Sequence, residues 1–180
     1  DCMPYYNSFH KIYTGLFDIR TDVALTVRQD FDREKMKAKF ERADFLYVGG
    51  GDTVFMIEHW KKSGLLEYIR EAYERGVLIA GLSAGAICWF EDMYSDSVVE
   101  GEYQMFPGLG WLKGKISPHY NERMLDFDEI VLYNRFRAWG IENDAALEFA
   151  DGEPVRTIGG GKVYGLDATS GTLEKSVFSA

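Results

Sequence analysis

The sequence predicts an α/β fold built on a parallel sheet, and three observations carry that expectation. Short apolar runs suited to buried strands, Phe45–Val48 and Val77–Ala80, alternate with segments of helical periodicity. Glycine-rich junctions, Gly49-Gly50-Gly51 and Gly81-Leu82-Ser83-Ala84-Gly85, follow both runs directly, as strand-to-helix turns do. Length and composition fit one ordinary domain. The chain has 180 residues, 46% hydrophobic and 27% charged, too apolar for disorder, and 19 Gly with 4 Pro is too few for low complexity.

In chain order, Tyr5, Phe9, Ile12, Tyr13 and Leu16 follow Pro4 at helical spacing, and Val23, Leu25 and Val27 alternate as a strand does. A charged helix over Asp32–Arg42, with Met36 and Phe40 on one face, leads into the strand Phe45–Val48. Helices are expected from Thr53 to Lys62 and from Leu65 to Arg75, the second ended by Gly76, before the strand Val77–Ala80. A further helix runs from Ser83 through Phe90. An irregular acidic stretch then reaches Glu102, and Pro107–Gly110 is punctuated by glycine. Lys115–Ser117 reads as a brief strand and Glu122–Arg137 as a weak helix. Ala145–Phe149, Val155–Ile158 and Lys162–Leu166 read as strands joined by turns. No repeat, linker or boundary interrupts residues 1–180, which are expected to form a single domain.

Charge and cysteine content exclude several classes of function. With 29 acidic against 20 basic side chains the net charge is −9, which repels phosphate backbones and anionic lipid surfaces, so neither nucleic acid nor membrane is an expected partner. No apolar run approaches the roughly 20 residues of a membrane-spanning helix. Cys2 and Cys88, far apart and without CxxC spacing, indicate neither a disulfide framework nor a zinc site, and a reducing cytoplasm is the expected compartment. Asp1-Cys2-Met3-Pro4 is neither an initiator Met nor a charged region with an apolar core, so these residues offer no secretion signal to read, and residues before them are an open alternative.

Gly81-Leu82-Ser83-Ala84-Gly85 is a GxSxG pattern placed between an apolar strand and a helical run, the context a nucleophile elbow requires. A serine on so tight a turn takes a strained backbone, and small neighbours are needed where Cβ atoms would meet the adjoining strand and helix. The Ala84 N–H then faces a site where an oxyanion could be held. The plainer reading is a strand-to-helix turn with Ser83 as N-cap. Gly49-Gly50-Gly51-Asp52-Thr53 matches neither dinucleotide nor Walker spacing and calls for no nucleotide, but its loop can offer a second oxyanion donor at the same sheet edge. Alternatively it is a helix start capped by Asp52 or Thr53.

Of three histidines, His10 and His59 lie inside helical patterns, and His119 alone follows an expected strand, where a general base would be delivered. Asp96 leads as the acid that orients it, with Glu100, Glu122 and Asp126 as rivals. Thirty-six residues from Ser83 to His119 are too few for the usual α/β-hydrolase spacing.

The glycine loop at 49–53, the Gly-x-Ser-Ala-Gly-Ala elbow at 81–86 and the segment Pro118-His119-Tyr120 stand together in order. In these the chain resembles the peptidase E (aspartyl dipeptidase) family of serine peptidases, relatives of cyanophycinase, from about Pro4 to its end. The resemblance implies a doubly wound, mostly parallel sheet like that of class I glutamine amidotransferases, lacking here the family's first strand. It implies Ser83 as nucleophile, His119 as base, Asp96 as the acid shortly after the elbow, and an oxyanion hole of Ala84 with Gly50 or Gly51. No cofactor or metal is implied. The implied substrate is a small peptide, a dipeptide with N-terminal Asp, and a carboxylate clamp after the histidine segment falls on Arg123. The alternative for Arg123 is a solvated pair with Glu122 or Asp126. For the whole chain, the alternative is a catalytically silent relative that binds in the same cleft. Glutaminase chemistry would require a cysteine at the elbow, where Ser83 stands.

Overall fold

A computed structural model describes residues 3–26 and 32–179, which divide into two compact units. The first comprises 1–44 and 59–78. It holds helix α1, Met3–Phe17, which buries none of its side chains, and helix α2, Arg33–Glu41. Asp32 caps α2 by accepting from the Lys35 N–H, 3.1 Å. Helix α3, Thr53–Ser63, begins in the second unit and runs into the first, and Gly64, at φ 78°, turns the chain into helix α4, Leu65–Glu74. Met36 and Phe40 of α2, and Leu65, Ile69 and Ala72 of α4, are the buried faces along which these two helices pack. Arg75 donates to the Phe40 carbonyl, 2.9 Å.

The second unit, 45–58 with 79–180, carries three sheets. Strand β1, Phe45–Val48, pairs with β2, Leu78–Gly81. After the short helix α5, Ala84–Ile87, come β3, Phe90–Ser95, β4, Gln104–Pro107, and β5, Leu112–Ser117. Helix α6, Tyr120–Asn134, is followed by β6, Arg137–Ile141, β7, Ala145–Ala150, β8, Glu153–Gly159, β9, Val163–Asp167, and β10, Glu174–Val177. The six-stranded sheet has the order β10-β9-β6-β5-β3-β4. Its centre, β3, β5 and β6, is parallel, and β4, β9 and β10 join antiparallel at its edges. A hairpin of β7 and β8 forms the third sheet. α6 packs on β5 and β6, enclosing Tyr94, Tyr120, Phe127, Val131, Ala138 and Leu166. The rings of Tyr94 and Phe127 lie 5.0 Å apart. Among the described residues no helix is long and apolar enough to cross a membrane.

The α/β class holds, with several local corrections. Val23 and Leu25 form no strand, and Val27 lies outside the described residues. The helix expected from Ser83 to Phe90 is one turn, Ala84–Ile87, because the chain then enters β3. Gly108 crosses so close that a Cβ there would lie 2.2 Å from the Phe90 carbonyl, and the Leu109 and Trp111 N–H groups bond the Cys88 and Trp89 carbonyls. Those carbonyls are thus taken by a neighbouring loop instead of continuing a helix. Strands β3, β4, β6 and β10 were not expected, and α6 starts two residues earlier and ends three earlier than its periodicity suggested. Arg135, at φ 52°, terminates it in the left-handed conformation.

Candidate active site

Ser83 stands between β2 and α5 with φ 51° and ψ −114°, a conformation costing about 1–3 kcal/mol that neighbouring packing must hold. The packing is of backbone on backbone. A Cβ on Gly81 would lie 2.0 Å from the Gly85 carbonyl oxygen, and one on Gly85 would lie 2.2 Å from that of Val48. Both outer positions of the GxSxG pattern therefore exclude any side chain, for the reason the sequence suggested. The Leu82 N–H continues the pairing to Val48, 3.0 Å. Beyond Ser83, the Gly85, Ala86 and Ile87 N–H groups turn to the Leu82 and Ser83 carbonyls, and Ala84 sits in the first turn, where a helix leaves its donors without intrahelical acceptors. Gly50 flanks the serine: a Cβ there would be 3.5 Å from the Ser83 Cβ.

His119 is delivered by the end of β5. Its own backbone is left-handed, φ 50° and ψ 39°, and Tyr120 beside it is wholly buried. The Tyr120 hydroxyl donates to Asp128, 2.6 Å, and Lys175 donates to the other oxygen of that carboxylate, 2.6 Å. Burial and the adjacent Asp128 carboxylate push the Tyr120 phenol above its ordinary value, so it remains the donor. The ring lies so near β6 that a Cβ on Gly140 would come within 2.6 Å of it. A buried anchor thus fixes the turn carrying the imidazole, whose Nε2 is 3.0 Å from the Ser83 Oγ.

The other nitrogen, Nδ1, meets the side-chain oxygen of Asn143 at 2.6 Å. Asn143 Nδ2 donates to Glu122 Oε1, 2.5 Å, and its backbone N–H donates to Asn121 Oδ1, 2.8 Å. The group on the imidazole is therefore an amide from the loop after β6, not Asp96. Asp96 accepts from the Gly101 N–H, 3.2 Å, and from the Tyr103 hydroxyl. Partial burial raises its carboxyl, but these hydrogen bonds and the Arg123 charge outweigh that, and the group lies below the ordinary carboxylate value. Arg123 stacks over the Tyr103 ring, 4.1 Å to its centre, and donates to its hydroxyl, 3.1 Å. Of the rival acids, Glu122 reaches the imidazole through Asn143.

Asn143 escaped the sequence reading because β6 did. In parallel sheets, ligands and catalytic groups gather beyond the carboxyl ends of the strands. The register pairs Ile116 with Trp139 and Ser117 with Gly140, so residues just past Ser117 and Ile141 share that edge. Once Arg137–Ile141 is a strand, the polar run Glu142-Asn143-Asp144 becomes a site candidate by position.

At the edge of the α/β sheet a serine of strained backbone thus stands within hydrogen-bond reach of an imidazole. The model of peptidase family S51 matches residues 2–157, and the chain belongs to that family. An uncharacterized peptidase of Bacillus subtilis, YgaJ, is 39% identical over 129 residues, 67% of this chain and 55% of that protein. A peptidase E of Shewanella amazonensis is 27% identical over 77% of this chain and 62% of its own. The chain thus spans little more than half the length of these curated relatives. A crystal structure of a peptidase from an acI-B1 Actinobacterium shares the fold, with TM-score 0.74 over 98% of this chain and 74% of that one at 18% identity.

Proposed function

We propose that the chain is a serine exopeptidase hydrolysing small peptides, dipeptides with N-terminal Asp, in a reducing cytoplasm. The observation that carries the reading is the 3.0 Å approach of His119 Nε2 to Ser83 Oγ on a strained elbow. Nε2 takes the serine proton as Oγ attacks the peptide carbonyl, and the resulting oxyanion is held by the Ala84 N–H with that of Gly50 or Gly51. The imidazolium then gives its proton to the leaving amine, and water, deprotonated in turn by Nε2, releases the acyl group from Ser83.

Arg123 supplies the specificity. In a protein of net charge −9 a substrate carboxylate needs a local cation, and Arg123, propped on Tyr103, is that cation near the histidine turn. Labelling by a fluorophosphonate, lost in Ser83→Ala, together with turnover across a dipeptide panel tests the proposal. The amide on His119 favours one second reading, a relative that binds peptides in this site without turning them over. Labelling at Ser83 with no hydrolysis of any dipeptide would favour it.

A further inference from the structure

We infer that Glu122 sets the tautomer of His119 by deciding which end of the Asn143 side chain faces the ring. The inference deepens the reading of His119 as the base of Ser83 and rests on it. An asparagine side chain has an acceptor end and a donor end of nearly the same shape, and it can sit either way round unless a neighbour chooses. Asn143's backbone does not choose. Its N–H is held by Asn121 Oδ1, and that bond survives either rotation of the side chain.

Glu122 does choose. A carboxylate has only acceptors to offer, so the end of Asn143 that meets Glu122 Oε1 at 2.5 Å must be the NH2. The carbonyl end is thereby turned to His119 Nδ1, 2.6 Å away. A carbonyl only accepts, so Nδ1 carries the ring proton, and Nε2 of the neutral ring is left bare. Nε2 is the nitrogen facing Ser83 Oγ at 3.0 Å. With the amide reversed, its NH2 would demand a bare Nδ1, the proton would sit on Nε2, and the serine would have no base. His119, Asn121 and Glu122 occupy the N-cap and first turn of α6, so one helix start delivers both the base and the groups that hold and orient its partner. Glu122 bonds neither the His119 ring nor Ser83 and acts through Asn143. It is a positioning residue.

The test is the protonation pattern of the His119 ring, read by long-range 1H–15N correlation on the 15N-labelled full chain at a pH where the ring is neutral. The His119 signals are assigned by their absence in His119→Ala. The wild type should show the proton on Nδ1. Glu122→Gln replaces an acceptor-only partner by one that also donates, so the Nε2–H form should rise to a comparable share. With it, kcat on the best dipeptide should fall about twofold, in proportion to the share of rings left with a bare Nε2, with KM little changed. Glu122→Asp, still acceptor-only, should keep the proton on Nδ1. The double variant Asn143→Asp with Glu122→Gln should return it there, because a carboxylate at 143 presents only acceptors to the ring.

A wild type with the proton on Nε2, or a Glu122→Gln chain melting as the wild type does with its proton still on Nδ1, overturns the inference. Should Glu122→Gln fail to fold, the double variant decides: a ring with Nε2–H there overturns it equally. The spectrum needs no turnover. A chain that switches tautomer as described but hydrolyses no peptide refutes the peptidase proposal and leaves this inference standing.

Discussion

Two clusters flank the sheet edge, and each holds groups of the kind hydrolysis needs. In one, Ser83, His119 and Asn143 are set by backbone: glycines without room for a Cβ, two residues at positive φ, and a buried tyrosine anchor. In the other, Asp96, Tyr103 and Arg123 are set by one another's side chains on a partly open surface. Asp96 has the charge expected of a triad acid, yet its oxygens are engaged by Gly101 and Tyr103, while a neutral amide occupies the imidazole. Chemical type and a place past the end of β3 both nominate the carboxylate, but its bonds to Gly101 and Tyr103 leave the imidazole to the amide past β6. The first cluster is therefore expected to carry the reaction and the second to bind.

The sharpest break between them comes from removing reacting groups. Ser83→Ala and His119→Ala should each abolish nearly all peptidase turnover, leaving about 10³–10⁴-fold over water from positioning and the oxyanion hole, and the double variant should lose no more than either. Wild-type turnover in Ser83→Ala would dissolve the contrast. Asn143→Ala should lower kcat about 10²–10³-fold, while Asp96→Asn should lower it less than about tenfold, since only the former frees the ring. Measured in the reverse order, these two would restore Asp96 as the orienting group.

The backbone origin of the first cluster makes a stability claim as well. Gly85→Ala drives a Cβ into the Val48 carbonyl, an obstacle that cannot rotate away, and should cost about 3 kcal/mol in denaturant unfolding. An unchanged midpoint would mean that the elbow can relax. In the second cluster, Arg123→Ala should weaken kcat/KM for Asp-Leu by about 1.5–3 kcal/mol, the scale of a charge-assisted hydrogen bond, while labelling of Ser83 by an uncharged probe is retained. No preference for Asp over Asn at the first position in the wild type would remove the clamp.

How much of this was legible in the sequence follows the same division. Gly81, Ser83 and Gly85 could be read because steric exclusion leaves a residue-type signature at fixed spacing. His119 could be read because Lys115–Ser117 reads as a strand before it. Asn143 could not, because Arg137–Ile141 alternates too weakly to separate from the end of α6, and an asparagine carries no signal of its own. Likewise β3 was hidden by Glu91 and Asp92, charges on a strand whose partners, the Gly114 N–H and Lys115, lie on β5. Local periodicity misses residues whose polarity is matched across a sheet.

The smallest expected effect concerns Asp96 itself. Its carboxyl lies below the ordinary 3.8, so its interactions favour the folded chain when it is ionised. The sign follows from linkage: a depressed folded value gives stability that is present above the unfolded value and lost as pH falls through the folded one. Asp96→Asn should therefore lower the melting temperature at pH 6, and the gap to the wild type should close as pH is taken below 3.8. Because the group is only partly buried, solvent screening holds the difference to about 1 kcal/mol or less. Arg123→Ala should shrink the gap as well, since the Arg123 charge is one of the causes that lower the group, and the Tyr103 hydroxyl that Asp96 accepts from rests under the Arg123 guanidinium. A gap that persists at pH 2.5, or one that Arg123→Ala leaves untouched, would show that Asp96 does not belong to an ionised binding cluster, and the contrast between the two halves of the site would then rest on the Ser83 side alone.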